Sequence, residues 1–342
     1  MTIKAFCDAD SRGRLSGLKY LSPFGRDYSE VMWHVLLMRE LDKRQVFSWR
    51  SVPFLTDSRL SHTITVARLA NVLAEDLGLN KYLTAAIALC HDVAHCPYGH
   101  LGEIVLSGHL RAIGRPEYDH KMVAPYLLNT VANLDLSVEV LEGIACHSLS
   151  TDVMRREVPS EYRVVAISDT IAYTLSDAAD AVAITSNDFY REVTLLEDEE
   201  TATLHEEVGG LLCSLGMTAS QRFHNVISAL VAESSDAGEI RFEASPEALV
   251  LAKLRDLLLA KFYTKTDLPD DIWCLHGVIN KLVASDVGVN PYLLFALLTD
   301  GELKYLGSLR AITPGDLSLL QVSEFNLPDR DDYDFLEPFV GS

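Results

Sequence analysis

Lys81-Tyr82-Leu83-Thr84-Ala85-Ala86-Ile87-Ala88-Leu89-Cys90-His91-Asp92 is the stretch that decides the fold. It is apolar on almost every face of a helix, so the helix it predicts belongs at the centre of a core. It ends on a His-Asp pair whose side chains point roughly 100° apart on a helix. At the end of the most hydrophobic helix in the chain, only a shared ligand or polar network makes both useful. The preceding helix is read over 62–74, with Val66, Leu69, Ala70 and Leu73 on one stripe and Gly78 as its stop.

Helical periods continue over 118–129, 138–147, 162–183, 201–215, 219–232, 246–262, 270–285 and 292–298. Pro246 suits a first helical turn. Alternating β-branched runs are rare, and 239–243 could at most form a hairpin. The expected class is all-α, one large helical domain with additional C-terminal helices. The divisions are an N-terminal arm at 1–27, the helical domain at 28–310 and an acidic extension at 311–342. That extension holds Asp329-Arg330-Asp331-Asp332-Tyr333-Asp334 between Pro328 and Pro338 and reads as an irregular, solvated tail.

Composition narrows the function. The 342 residues carry 29 Lys+Arg against 49 Asp+Glu, a formal charge of −20, and 48% are hydrophobic. That balance excludes a disordered chain and argues against duplex nucleic acid or an anionic membrane as the main partner. No stretch reaches the ~18 apolar residues of a membrane span. The first residues lack an apolar signal core, so the expectation is a cytoplasmic protein. The six cysteines (7, 90, 96, 146, 213 and 274) contain no CxxC pair and read as free, mostly buried thiols.

Four polar residues interrupt apolar helices: His62, His91, Asp92, and Asp169 within Val164-Val165-Ala166-Ile167-Ser168-Asp169-Thr170-Ile171-Ala172-Tyr173. A carboxylate buried alone costs several kcal/mol or takes up a proton. One divalent cation bound by two imidazoles and two carboxylates resolves all four residues at once. Mixed nitrogen and oxygen ligands suit Mn, Fe, Ni, Zn or Mg. After the His-Asp pair, His91 to Glu103 holds three histidines, with Pro97 and Gly99 marking a turn. His100 and Glu103 are three apart and can meet if a helix begins there, an arrangement suited to acid/base work. His120 adds an imidazole beside Lys121.

At these residues the sequence resembles the HD-domain metal phosphohydrolases, and more narrowly the deoxynucleoside triphosphate triphosphohydrolases. Ser58-Arg59-Leu60-Ser61-His62-Thr63 is similar to that family's TRLTHS-type segment, and 91–103 to its HDxGHPPFGHxGE string. Leu141-Glu142-Gly143-Ile144-Ala145-Cys146-His147 is similar to LEGLxxH. Asp169 to Tyr173, followed by Asp177 and Asp180, is similar to DEIAYxxxDxxD. Gln45-Val46 and Leu297-Leu298-Thr299-Asp300-Gly301-Glu302-Leu303 match at the flanks. Ala94 stands where the family has Gly, Cys96 stands for its first proline, and 38–41 is a degraded FRRL segment. No metal position is lost.

The resemblance implies an HD-domain fold and cleavage of a dNTP at the α-phosphorus into deoxynucleoside and tripolyphosphate. It assigns one divalent metal, Mn or Mg before Fe, Ni or Zn, to His62, His91, Asp92 and Asp169. His100 and Glu103 become the acid/base pair, with His95 and His120 as phosphate donors. Arg59, Lys121, Arg163 and Tyr173 are candidate substrate contacts, and a homo-oligomer, tetramer or hexamer, is implied. The alternatives are an HD phosphatase or phosphodiesterase on another nucleotide, or a silent nucleotide-sensing oligomer. The remaining histidines, 34, 109, 205, 224 and 276, read as structural or surface residues. A substrate with about four negative charges meets a chain of the same sign, so KM should fall as salt rises to moderate levels. A KM that climbs from the lowest salt would mean that local basic groups, not net charge, govern encounter.

Overall fold

The computed structural model describes residues 5–6, 22–46, 58–147, 158–186, 194–320, 322 and 325–337. Cys7 and most of the 1–27 arm lie outside them. Helix α1 (Pro23–Trp33) leads into α2 (Val35–Arg39). Helices α3 (Arg59–Asp76) and α4 (Lys81–Cys90) then pack along each other. Asn80 starts α4 by accepting from the Tyr82 and Leu83 amides at 3.2 and 3.1 Å. Every residue from Leu83 to Cys90 is buried, because α4 is enclosed by α1, α3, α7 (Val138–Ala145) and α8 (Ser160–Thr185). The stripe Val66, Leu69, Ala70 and Leu73 is buried in the same core.

Helix α5 (His100–Ala112) follows the loop after α4, and α6 (His120–Tyr126) follows α5. Helices α9 (Asp198–Leu215), α10 (Ala219–Ala237) and α11 (Pro246–Lys261) gather on the α8 side. Helices α12 (Pro269–Ala284), α13 (Pro291–Leu297) and α14 (Asp300–Ser308) gather on the α5 side, and α15 (Pro314–Leu317) ends the series. Among the described residues there is no strand, only isolated bridges at Arg44–Ser58 and Val289–Asp329, and 239–243 is irregular. The fold is all-α. No helix among the described residues is long and apolar enough to cross a membrane.

Helix boundaries move for physical reasons. The α4 helix stops at Cys90, two residues before the expected end, because the chain turns at His91. The 118–129 period splits into α6 and a π turn at Leu127–Val131, since Pro125 inside α6 lacks the amide that would keep the α register. Of the thiols described, Cys90 and Cys96 are buried, Cys146 and Cys274 half-buried and Cys213 exposed, all of them free.

The solvated-tail expectation is corrected over 325–337. The segment is irregular, but it packs. Phe335 is fully buried, Asn326 N donates to Val131 O at 2.8 Å, and Asn290 Nδ2 donates to Asp332 O at 2.7 Å. Arg115 lies 4.1 Å over the Tyr333 ring. A Phe335→Ala variant should therefore lose about 3–5 kcal/mol, the usual cost of emptying a phenylalanine site, and melt several degrees lower by calorimetry. An unchanged midpoint would restore the solvated reading.

Candidate active site

Three helices and one turn bring the four polar interruptions together. His62 sits one turn into α3, Asp169 midway along α8, and His91 and Asp92 where α4 ends. His62 Nε2 lies 3.0 Å from Asp169 Oδ1 and 3.8 Å from Asp92 Oδ2. His91 Nε2 lies 3.5 Å from Asp92 Oδ1 and 3.6 Å from Asp169 Oδ1. His91 Nδ1 donates to Ala88 O at 2.7 Å, which leaves Nε2 as the atom that takes up either a proton or a cation. That nitrogen is buried without a hydrogen-bond partner. Ligands held at about 2.1 Å from a single cation lie about 3.0–3.4 Å apart; His62, His91 and Asp92 have ligand atoms within 4.8 Å of one another, and Asp169 joins them through its short distances to the two imidazoles.

The electrostatics point the same way. Burial works against charging His91, yet the Asp92 and Asp169 carboxylates outweigh it and hold its pKa up at about 10. Burial is likewise overridden at Asp92 by His91, His95 and Arg59, and at Asp169 by His62 and His91, so both carboxylates stay below their usual range. The cluster is a negative pocket that draws in positive charge, which a divalent cation supplies.

The chain after Asp92 is bent back against this cluster. Tyr98 and Gly99 both take positive φ, 62° and 58°. A Cβ on Gly99 would stand 2.3 Å from the Arg59 guanidinium, and one on Gly102 would stand 2.1 Å from Pro97 O. Both glycines are therefore demanded by close approach. The loop is tied down on three sides. Tyr118 Oη donates to Ala94 O at 2.6 Å, the buried Lys43 ammonium donates to His95 O, and Tyr98 N donates to Asp300 Oδ1 at 3.0 Å.

The bend delivers a second cluster around one carboxylate. Glu103, in the first turn of α5, touches His95 Nδ1. Its Oε2 lies 3.0 Å from His120 Nδ1 and 3.9 Å from His100 Nδ1. His95 and His120 stack with centroids 3.7 Å apart. His95 Nε2 is 3.2 Å from Asp92 Oδ1, so the two clusters join at Asp92. Burial, reinforced by Arg59 and His120, lowers the His95 pKa to about 4. The Glu103 hydrogen bond raises that of His100.

Both clusters face a cavity of about 570 Å³, within the usual range for small-molecule sites. Arg59, Lys121 and Tyr173 line it. Arg59 is buried against Asp92 Oδ2 at 2.7 Å, so its first task is to anchor that carboxylate. Lys121 Nζ lies 3.6 Å from Asp119, and Tyr173 stands one turn after Asp169 on α8. Arg163 is not on the cavity wall. It lies six positions before Asp169, roughly 120° round the helix.

His147, matched in sequence without a role, completes the group. Its Nδ1 donates to Ile144 O at 2.6 Å, and its ring stands 5.2 Å from His91 and 5.4 Å from His120. A second wall comes from the end of α11 and the start of α12, with Tyr263, Thr266, Asp267 and Asp271. Tyr263 Oη donates to Asp177 Oδ2 at 2.6 Å. No motif marks that wall in the sequence.

Comparison with known proteins places the chain among similar sequences. The HD domain family profile matches residues 59–174. A deoxyguanosinetriphosphate triphosphohydrolase-like protein of Leptospira interrogans is 30% identical over 290 residues, 77% of this chain and 74% of the relative. A protein so described in Clostridium perfringens is 30% identical over 230 residues, 66% of this chain and 63% of the relative. One from Caldanaerobacter subterraneus is 39% identical over 160 residues, 46% and 45% of the two chains.

Two buried imidazoles set a pH dependence. Burial, with His91 and His120 beside it, lowers His147 to about 3, and His95 sits at about 4. Both nitrogens bind protons in the unfolded chain near 6.5 but not in the native one. The unfolded state therefore holds more protons between those values, and stability rises with pH there. Relative to His147→Gln, the metal-free wild type should lose melting temperature as pH drops from about 6.5 to about 4, a comparison in which the opposite contributions of the buried Glu40 and Asp300 carboxyls cancel. Parallel pH profiles for the two proteins would show that His147 does not stay neutral.

Proposed function

The chain belongs to the HD-domain family of deoxyguanosinetriphosphate triphosphohydrolase-like proteins, and on that premise we propose that it hydrolyses a deoxynucleoside triphosphate to a deoxynucleoside and tripolyphosphate. The observation that carries the reading is the pairing, in one cavity, of a four-ligand cation site with a carboxylate shared by three imidazoles. A phosphohydrolase needs the first, and a bare HD site does not need the second.

His62, His91, Asp92 and Asp169 would hold the cation, with Mn or Mg first and Fe, Ni or Zn as alternatives. When bound, it polarises a phosphate oxygen and acidifies water. The rest falls to the side chains. Arg59 keeps Asp92 ionised and oriented. His95 and His120, stacked and held through Nδ1 by Glu103, would face the phosphate oxygens and donate Nε2–H only when a second proton is on the ring, and Lys121 adds charge at the wall. Water adds to the α-phosphorus, the bond to O5′ breaks, and O5′ takes a proton. His100 is placed to give it, because Glu103 favours its protonated form and its ring faces solvent. Tyr173 packs toward the sugar. The working form is a cytoplasmic homo-oligomer, tetramer or hexamer.

The test is incubation with a dNTP panel and Mn²⁺, resolving the first product. Tripolyphosphate with deoxynucleoside is expected; pyrophosphate or orthophosphate would point to a phosphatase or phosphodiesterase. Glu103→Gln should lower kcat about 10²–10⁴-fold, the usual weight of acid/base assistance, with metal content unchanged. Full activity in that variant would remove Glu103 and His100 from the chemistry.

A further inference from the structure

Two histidines outside the cavity form a pair that the proposed reaction does not use. His109 lies on the third turn of α5 and His276 on the second turn of α12. His109 Nε2 is 3.0 Å from His276 Nδ1, with ring centroids 5.1 Å apart and planes at 47°. The His276 ring is exposed and that of His109 is half-buried. Two nitrogens from different helices converge at a surface open to water.

We propose that His109 and His276 form a second metal site, taking a first-row divalent transition cation of the Ni²⁺ or Cu²⁺ kind, with water in the remaining positions. Two nitrogens 3.0 Å apart, each at about 2.1 Å from a shared ion, subtend about 90°. That angle belongs to adjacent positions of a square-planar or octahedral ion, whereas a tetrahedral ion wants about 3.4 Å between its ligands. Imidazole suits these metals, and in divalent affinity they stand at the top of the first row. Mg²⁺ and Ca²⁺, which require oxygen ligands, are excluded from the pair.

The placement gives the ion something to hold. The first turns of α5 and α12 both reach the cavity, through Ile104 and Asp271. His109 and His276 each lie five residues further along the same helices. A cation here clasps the two helices behind the cavity wall. The pair does not depend on the proposed reaction, and it stands or falls separately.

Trp273 supplies a local probe. It is exposed and three residues before His276, on the same face of α12. The experiment takes protein already loaded with Mn²⁺ and titrates Ni²⁺, with bound metal counted after equilibrium dialysis. Wild type should bind one more equivalent than His276→Ala, a surface change that leaves the core intact. Ni²⁺ should also raise the melting midpoint of wild type above that of the variant, because it binds the folded pair. Cu²⁺ should quench Trp273 fluorescence in wild type and not in His276→Ala, with Trp273→Phe identifying the source. His109→Gln should behave as His276→Ala does. Equal Ni²⁺ stoichiometry in wild type and both histidine variants would overturn the site and leave an ordinary imidazole–imidazole hydrogen bond.

Discussion

Two carboxylates buried at the meeting of three helices are the constraint on which the rest of the structure depends. Asp92 and Asp169 stand where α3, α4 and α8 converge, and neither can remain ionised there alone. Arg59 meets one oxygen of Asp92 at 2.7 Å, and His62 and His91 face both acids. The compensation is incomplete: His91 is pushed to about 10, which means that without a cation the pocket recruits a proton. The apolar packing of α4 closes the cluster on one side, and the cavity leaves it accessible on the other. Core and chemistry are therefore one arrangement.

That arrangement also explains the polar residues one layer out. Lys43 is buried, and its pKa falls to about 8 because burial disfavours its charge. It is kept because the His95 carbonyl needs a donor. Asp300, raised to about 6 by burial, accepts from the Tyr98 amide on one side and the Arg44 amide on the other. Asp42 accepts from Thr299 Oγ1 at 2.7 Å, and Arg39 pairs with Glu302 at 2.5 Å. The segment around residue 40 and the start of α14 thus form a brace for the strained Tyr98-Gly99 bend. A bend with two positive φ angles persists only where its surroundings hold it.

Much of this was legible in the sequence where residue type and period act together. An apolar run ending in His91-Asp92, and Asp169 inside an apolar helix, are local conflicts that only a shared partner resolves. The π turn after Pro125 was less visible, since a proline inside a helix signals a break without naming the repair. The packed tail was missed because Phe335 and Leu336 are two apolar residues in an acidic stretch, and periodicity needs more than two. The wall of Tyr263, Thr266, Asp267 and Asp271 was missed for another reason. Those residues come from a helix connection about a hundred residues after Asp169, and only the folding of α11 and α12 onto α8 and α5 brings them to the cavity. Arg163, a candidate substrate contact by resemblance, is turned about 120° from Asp169 on α8 and does not line the cavity.

The histidine cluster raises a last question, why the proposed phosphate site should be built from imidazoles when lysines would carry more charge. A buried ammonium beside a divalent cation would lose its proton or expel the ion. Imidazoles can be set individually. Glu103 touches His95, His100 and His120, yet His95 lies low at about 4 while His100 is raised. The difference comes first from the burial of His95, reinforced by Arg59 and His120, and from the Glu103 hydrogen bond that favours the protonated form of His100, which stands nearer solvent. Environments that push like groups apart in pKa are how one site holds an acid and a neutral imidazole at a single pH. One carboxylate among three imidazoles therefore creates an asymmetry that three lysines could not, and in the proposed reaction that asymmetry decides which ring can release a proton to O5′.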